Sequence, residues 1–392
     1  MKIFVLLSRV PYPLDKGDKL RAYHQLKGLA QHHEIHLFCL DDGKTSQETI
    51  VRLQEFCKTV HIHSLSAFGR ILNVILAFLT GKPLHCGYFY STTAKNEIRK
   101  QIEGLKPDHI YCQLIRVAAY VATAKIPKTL DYQDVFSMGM KRRMEAAPSL
   151  LKLFYYAEYR RLLRYETWVF DQFDNKTIIT DTDRQLIPHP RKNDIHIIPN
   201  GVDFQTFYPI AGEKSYDLIF TGNMSYAPNI DAAIYLATEI MPLVWKHRPE
   251  CRLLLAGATP HASVIALQND KITVSGWIPE MRTAYASAKI FIAPMRIGTG
   301  LQNKLLEAMA IKIPCITSPL AFEALGAEAG TEILLATAPQ EYADKIEFLL
   351  ANPDKAVEIG EAGYIFVQRK YDWQTATALL EKIILETPIK TL

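Results

Sequence analysis

The sequence is short of several features that would classify it at once. Its six cysteines, Cys39, Cys57, Cys86, Cys112, Cys251 and Cys315, include no CxxC pair. That removes zinc-site and redox-motif spacings and points to buried, reduced thiols of a cytosolic protein. No apolar run approaches the ~20 residues that a bilayer-spanning helix needs. The run Ile3-Phe4-Val5-Leu6-Leu7 is five residues long before Ser8 and Arg9. It is too short for the apolar region of a signal peptide and reads as a first buried strand. A second stretch, Ile71 to Leu79, is nine residues with Asn73 inside, flanked by Arg70 and Lys82. It fits either a core helix or a helix lying in a membrane interface. The first strand is not followed by GxGxxG, so a dinucleotide site has little support. Internal repeats and low-complexity tracts are absent.

What is present describes a two-domain globular chain. Its 392 residues exceed the size at which one core stops growing, about 250–300 residues. Hydrophobic residues make up 48% and charged residues 22%, which excludes disorder, collagen-like repeats and a multi-span membrane protein. The net charge of +4 conceals an asymmetry. Residues 1–200 hold 29 Lys and Arg against 20 Asp and Glu, or +9, and residues 201–392 hold 16 against 21, or −5. The basic half calls for an anionic ligand, nucleic acid or a lipid surface. Dispersed basic residues and the lack of a binding motif argue against nucleic acid.

Short apolar or β-branched runs alternate with segments of helical periodicity. Strands are expected at 2–7, 35–40, 61–64, 109–113, 128–131 and 176–180. A second series is expected at 196–198, 217–221, 252–257, 272–275, 290–294 and 314–318. Helices are expected at 19–31 and 230–246, the latter burying Ile230, Ala233, Ile234, Ala237, Met241 and Val244 on one stripe. The class is therefore α/β, with two doubly wound parallel sheets. The Pro-rich polar stretch 187–194 and the Asn200-Gly201 turn mark the boundary, giving domains 1–200 and 201–370.

Three strand-to-helix turns could carry chemistry. The first is Pro11-Tyr12-Pro13-Leu14-Asp15-Lys16-Gly17-Asp18-Lys19-Leu20-Arg21, where Gly17 allows close backbone approach and Asp18 could cap the helix. A capped turn with solvated lysines explains it as well. The second, residues 220–229, opens the second sheet with Gly222 and Asn223. The third is Pro294-Met295-Arg296-Ile297-Gly298-Thr299-Gly300-Leu301-Gln302-Asn303-Lys304-Leu305-Leu306-Glu307. Its helix N-terminus favours phosphate oxygens, and Arg296 and Lys304 add positive charge. Glu307 shares a helix face with Lys304 and could accept hydrogen bonds from two ribose hydroxyls. The alternative is a surface Lys–Glu pair of small energy.

Ile198-Pro199-Asn200-Gly201-Val202-Asp203, the 222–229 turn, Ser275-Gly276-Trp277-Ile278-Pro279 and Lys304-Leu305-Leu306-Glu307-Ala308-Met309-Ala310 occur in the order of group 1 (family 4) glycosyltransferases, which the chain resembles. Tyr371-Asp372-Trp373 is similar to the start of that family's final crossover helix. Lys16-Gly17-Asp18-Lys19-Leu20-Arg21, Leu130-Asp131-Tyr132-Gln133-Asp134-Val135-Phe136-Ser137 and Arg161-Leu162-Leu163-Arg164-Tyr165-Glu166 resemble the sugar transferases associated with the PEP-CTERM/exosortase system.

The resemblance implies the GT-B architecture. Two Rossmann-like domains would face a cleft, with the helix at 371–392 packing back on the N-terminal domain. It also implies retention of anomeric configuration without a metal or other cofactor. The C-terminal domain would bind a UDP- or GDP-sugar through Gly222, Asn223, Trp277, Ile278, Gly298, Thr299, Gly300, Leu301 and Glu307. The N-terminal domain would bind a glycan or polyprenyl-linked acceptor near Gly17, Asp18, Lys19, Arg21 and Gln133. Lys304, Arg296 and the candidate base Asp134 would act on the reaction.

The family's usual Glu, seven residues, Glu begins here with Thr299. Its usual Arg and Lys after the first C-terminal strand are replaced around Asn223 and Pro228-Asn229, so Arg296 and Lys304 stand in for that charge. Its His-Asp pair appears as Gln133-Asp134. The chain would work in the cytoplasm, at the inner face of the plasma membrane if the basic half meets anionic lipid. Rival readings are a sugar-nucleotide 2-epimerase of the same build and a non-catalytic nucleotide- or glycan-binding protein.

Overall fold

The computed structural model describes residues 1–387 except Asp42, Lys44, Gly298 and Thr299, and only the backbone of Ala146. The chain divides into two compact units, Met1–Pro199 with Ala376–Leu392, and Asn200–Thr375. The first holds β1 (Lys2–Leu7), β2 (Glu34–Asp41), β3 (Thr59–Ser64), β4 (His109–Gln113), β5 (Lys128–Asp131), β6 (Asn175–Ile178) and β7 (His196–Ile197). They run parallel in the order β3-β2-β1-β4-β5-β6-β7. Ile3 to Leu7 are at most 2% exposed, because helices cover both faces of a parallel sheet and its strands must be apolar throughout.

The second unit holds β8 (Tyr216–Thr221), β9 (Leu253–Ala256), β10 (Ile272–Val274), β11 (Ala288–Ala293), β12 (Cys315–Thr317) and β13 (Leu334–Leu335). Their order is β10-β9-β8-β11-β12-β13, again all parallel. This is the anticipated α/β architecture of two Rossmann-like sheets. Each sheet reverses its winding once, between β1 and β4 and between β8 and β11. At such switch points successive helices fall on opposite faces, so the loops at the strand carboxyl ends part and leave room for a ligand.

Several expectations need correction. Strand 196–198 belongs to the first sheet, pairing Thr177 with His196 and Ile178 with Ile197. Stretch 187–194, expected as a polar boundary, packs against the first unit. Ile187 and Ile195 are buried, and the His189 ring stacks on Phe170 at 3.7 Å. The helix expected at 230–246 is broken into Ala227–Tyr235, a π turn Leu236–Ile240, and Met241–His247. Pro242 lacks the N–H that would continue the regular ladder. Of the expected stripe Ala233, Ala237, Met241 and Val244 are buried and Ile230 and Ile234 only partly so, while Leu236 and Ile240 of the π turn are buried as well. Two-residue β13 was too short to read.

The helix Ala67–Leu79 is no core helix, since Ala77 is its one buried residue. The six thiols are buried, and burial pushes Cys57 and Cys251 up to about 12. The last helix, Trp373–Leu385, returns to the first unit. There Glu381 meets His32 and His33 at 2.9 Å each, and Asn175 Nδ2 donates to Ile383 O at 3.0 Å.

Candidate active site

The switch point of the second sheet collects most of the expected donor residues. β8 ends at Thr221, and Gly222 follows with φ of +155°. A β-carbon there would meet Asn229 Nδ2 at 2.6 Å, and one on Gly257 would meet Gly222 O at 1.8 Å. Both positions therefore demand glycine. Gly257 N donates to Gly276 O at 3.1 Å, which ties the loop before Trp277 to the same strand ends. Asn223 Oδ1 accepts from Ser225 N at 3.0 Å and Thr259 Oγ1 at 2.9 Å. Trp277 is 70% exposed, while Ile278 and Leu301 pack against the core.

Beyond β11 the chain reaches the helix Asn303–Ala310. Its N-cap, Gln302, makes no side-chain cap, so its first amides keep their capacity for an anion. Gly300 precedes it with φ of +96°. Gly298 and Thr299 lie outside the described residues.

Lys304 does not pair with Glu307 on the surface. Its Nζ donates to Asn229 Oδ1 at 2.5 Å and lies 4.6 Å from the Phe220 ring centre. Burial pulls Lys304 down to about 7, against the opposing pull of Glu307. Burial pushes Glu307 up to about 7, while its hydrogen bond with Tyr285 and the Lys304 charge act the other way. Tyr285 OH donates to Glu307 Oε2 at 2.7 Å and lies 2.8 Å from Thr221 Oγ1. The site thus brings a half-buried amine and a half-buried carboxyl group to one face of a helix, each oriented by a polar partner from another element. In the sequence Asn229 stands out only as a departure from the family pattern. Tyr285 was missed, because its helix, Met281–Ala286, carries no spacing signal toward Glu307.

Arg296 is placed differently from expectation. Its guanidinium binds Asp231 through two hydrogen bonds of 3.0 and 2.6 Å and covers the Tyr235 ring at 4.3 Å. The structure therefore shows its charge matched by a carboxylate. The pair is half-exposed and worth at most about 1 kcal/mol, so a competing phosphate could displace Asp231.

In the first unit the expected acceptor residues are partly dispersed. The helix Gly17–Leu29 starts one residue before Asp18 and has Lys16 as N-cap without a side-chain cap. Asp18 is not the cap; it accepts from Arg9 at 3.0 Å. Lys19 pairs with Asp15 at 2.8 Å. Arg21 is fully buried and cannot reach an acceptor. It binds Asp131 at 2.6 and 3.1 Å, and Asp131 also accepts from Thr177 at 2.9 Å. Gln133 is buried with φ of +60°, a backbone cost of about 1–3 kcal/mol just past β5. Asp134 beside it is exposed. Among the described residues no group of three or more His, Cys, Asp or Glu could hold a metal ion.

Comparison with known proteins gives this geometry a context. Residues 215–352 match the family described as glycosyl transferases group 1. An uncharacterised 44.6 kDa protein in the cps region of Klebsiella pneumoniae is 22% identical over 95% of this chain and 96% of its own length. Sucrose-phosphate synthase from Thermosynechococcus elongatus superposes with a TM-score of 0.70 at 14% identity, covering 98% of this chain and 99% of that one. HepE of Anabaena, solved with UDP-glucose, gives 0.70 at 13% identity with the same coverage. TarM of S. aureus, solved with fondaparinux, α-GlcNAc-glycerol and UDP, gives 0.69 at 12% identity over 98% and 99% of the two chains. The chain has the GT-B fold, and its residues 215–352 match the group 1 glycosyl transferase family.

Proposed function

We infer that the chain transfers a sugar from a nucleotide-sugar to a glycan or polyprenyl-linked acceptor, with retention of anomeric configuration. The observation that carries this reading is the Lys304–Asn229 and Glu307–Tyr285 arrangement beside an uncapped helix N-terminus. Glu307 Oε1 makes no hydrogen bond among the described residues and would accept from ribose hydroxyls. The helix amides and Lys304 would hold the diphosphate. As the bond from anomeric carbon to β-phosphate oxygen breaks, its electron pair stays with the phosphate, and Lys304 stabilises that growing charge. The acceptor oxygen bonds to the same carbon from the same face, and its proton passes to the leaving phosphate. No metal or cofactor is assigned a role. The first-unit motifs keep the exosortase-associated transferases as the proposed subgroup.

A thermal-shift screen of UDP- and GDP-sugars tests the donor. A true donor at a hundredfold excess over its Kd should raise Tm by about 5–10 °C. Release of UDP or GDP then identifies a transferase, an epimeric product an epimerase, and binding without either a non-catalytic binder. No shift with any sugar nucleotide would sink the transferase, the epimerase and the nucleotide-binder readings.

The reading also places the chain at the cytoplasmic face of an anionic membrane. No helix of the described residues is long and apolar enough to cross a membrane. On the Ala67–Leu79 helix, however, Phe68, Ile71, Leu72, Ile75, Leu76, Phe78 and Leu79 are exposed, along one helical stripe. Arg161 from the helix Ser149–Gln172 covers Phe78 at 4.7 Å. That second helix exposes Leu150, Leu151, Leu153 and Phe154 near its start. Residues 65–90 contain no Asp or Glu, and residues 141–164 carry seven Lys and Arg against two Glu. Apolar side chains flanked by cations suit a negatively charged bilayer surface. Co-sedimentation with vesicles rich in anionic lipid should fall about tenfold or more in a Phe68→Asp, Ile75→Asp, Leu79→Asp variant. Equal binding by variant and wild type would remove the membrane assignment.

A further inference from the structure

The first sheet has its own switch point, between β1 and β4, and two arginines gather around its carboxyl ends. Arg9 follows β1 by two residues and Arg116 follows β4 by three. Their guanidiniums lie 5.8 and 4.9 Å from the same Phe89 ring centre, and Arg116 lies 5.0 Å from that of Phe136. A guanidinium is planar and presents its N–H groups as a fork that suits a bidentate oxyanion. Both converge on one carboxylate, with Asp18 Oδ2 3.0 Å from Arg9 and 4.0 Å from Arg116. Arg116 also reaches Ser8 Oγ at 3.5 Å.

His85 packs on Phe136 at 5.2 Å and Phe89 at 5.8 Å. Burial, then the charges of Arg116, Arg9 and Arg143, pull it down to about 3. It is therefore neutral at physiological pH and can donate one N–H without adding charge. A crevice with room for about one water lies beside Arg9, between Ser8, Asp18, Lys19 and Gln113. Leu114, the first residue past β4, is buried with φ of +66°, and such strain concentrates where a site over-determines the backbone.

We propose that Arg9 and Arg116, at the carboxyl ends of β1 and β4, bind a phosphate or diphosphate group of the acceptor, with Asp18 holding the guanidiniums in place until it arrives. The assignment rests on the transferase reading for the word acceptor; the anion site itself does not depend on it. Asp18 marks where an oxyanion fits and also competes with it. Removing Asp18 should therefore strengthen binding, whereas removing an arginine should weaken it. A purely structural ion pair would not give that opposition.

The test is calorimetric titration of the full chain with inorganic pyrophosphate, with UDP saturating so that the second sheet's phosphate site is filled. Arg9→Gln and Arg116→Gln should each raise Kd about tenfold or more, and Asp18→Asn should lower it several-fold. Thermal unfolding of each variant confirms that it is folded, and Arg9→Lys, which keeps a charge, should recover part of the affinity. Farnesyl diphosphate and glucose 1-phosphate then compete in separate arms, and the better competitor identifies a lipid-linked or a soluble source. The proposal is overturned by absent pyrophosphate binding, by unchanged Kd in the folded arginine variants, or by failure of both competitors. Donor binding read in the thermal-shift screen fails or succeeds independently, which separates this site from the transferase reading.

Discussion

Replacing Lys304 with Met is expected to lower turnover by about two to three orders of magnitude while the protein stays folded. Methionine keeps the length and apolar stem of the side chain, so the packing beside Phe220 survives. What is lost is the positive charge that Asn229 aims through its Oδ1 at 2.5 Å. If that charge acts mainly on the leaving phosphate, kcat falls far more than the donor KM rises. UDP or GDP release at saturating donor measures it, and a wild-type rate would end the assignment.

The same burial predicts a pH dependence. Lys304 is pulled down to about 7, so in the free protein it loses its proton as pH rises through that value, and kcat/KM for the donor should decline above it. Lys304→Arg stays charged and should show a lower rate without this alkaline decline. The apparent value belongs to the coupled Lys304–Glu307 pair, since Glu307 is pushed up to about 7. A flat wild-type profile from pH 6 to 9 would contradict the role of the Lys304 proton.

The second large effect is structural. Asp131→Ala should destabilise the first unit by about 3–5 kcal/mol, because it leaves Arg21 charged and buried without its carboxylate. Arg21 and Asp131 side chains are both 0% exposed and joined at 2.6 Å. Tyr111 OH, 3.3 Å from Asp131 and 2.6 Å from Gln25 Oε1, extends the network to the helix Gly17–Leu29. Arg21 also donates to Pro199 O at 3.3 Å. Urea unfolding followed on the full chain would show the loss as a lower midpoint at similar slope. Pairing Arg21→Met with Asp131→Leu should recover much of it, since no isolated charge then remains. A single-variant loss below about 1 kcal/mol would mean that water reaches Arg21.

This network also explains where reading the sequence ran short. Lys19 and Arg21 look equivalent in Lys16-Gly17-Asp18-Lys19-Leu20-Arg21, both basic and both near a glycine turn. They differ by two residues on a helix, which is about 200° of rotation. One therefore points to the outer face and Asp15, the other into the sheet and Asp131. No local pattern separates them, because the partner carboxylate lies 110 residues away. Tyr285 escaped for the same reason, reaching Glu307 from 22 residues upstream. Arg9 and Arg116 are isolated in sequence and become neighbours only where β1 and β4 lie side by side.

The sequence by itself determined the parallel sheets and the strand-to-helix turns. Those depend on burial of contiguous apolar runs and on backbone conformations that few residues tolerate. It also placed Lys304 and Glu307 on one helix face, because three residues is nearly one turn. Only the tertiary structure decided which charges are spent and which remain. Arg21 is consumed by Asp131, Arg296 is held by Asp231, and Lys304 is kept beside Asn229 with its proton loosened. A side chain's charge is set by what surrounds it in three dimensions, and desolvation and partner distance both arise from strand order rather than from neighbours along the chain.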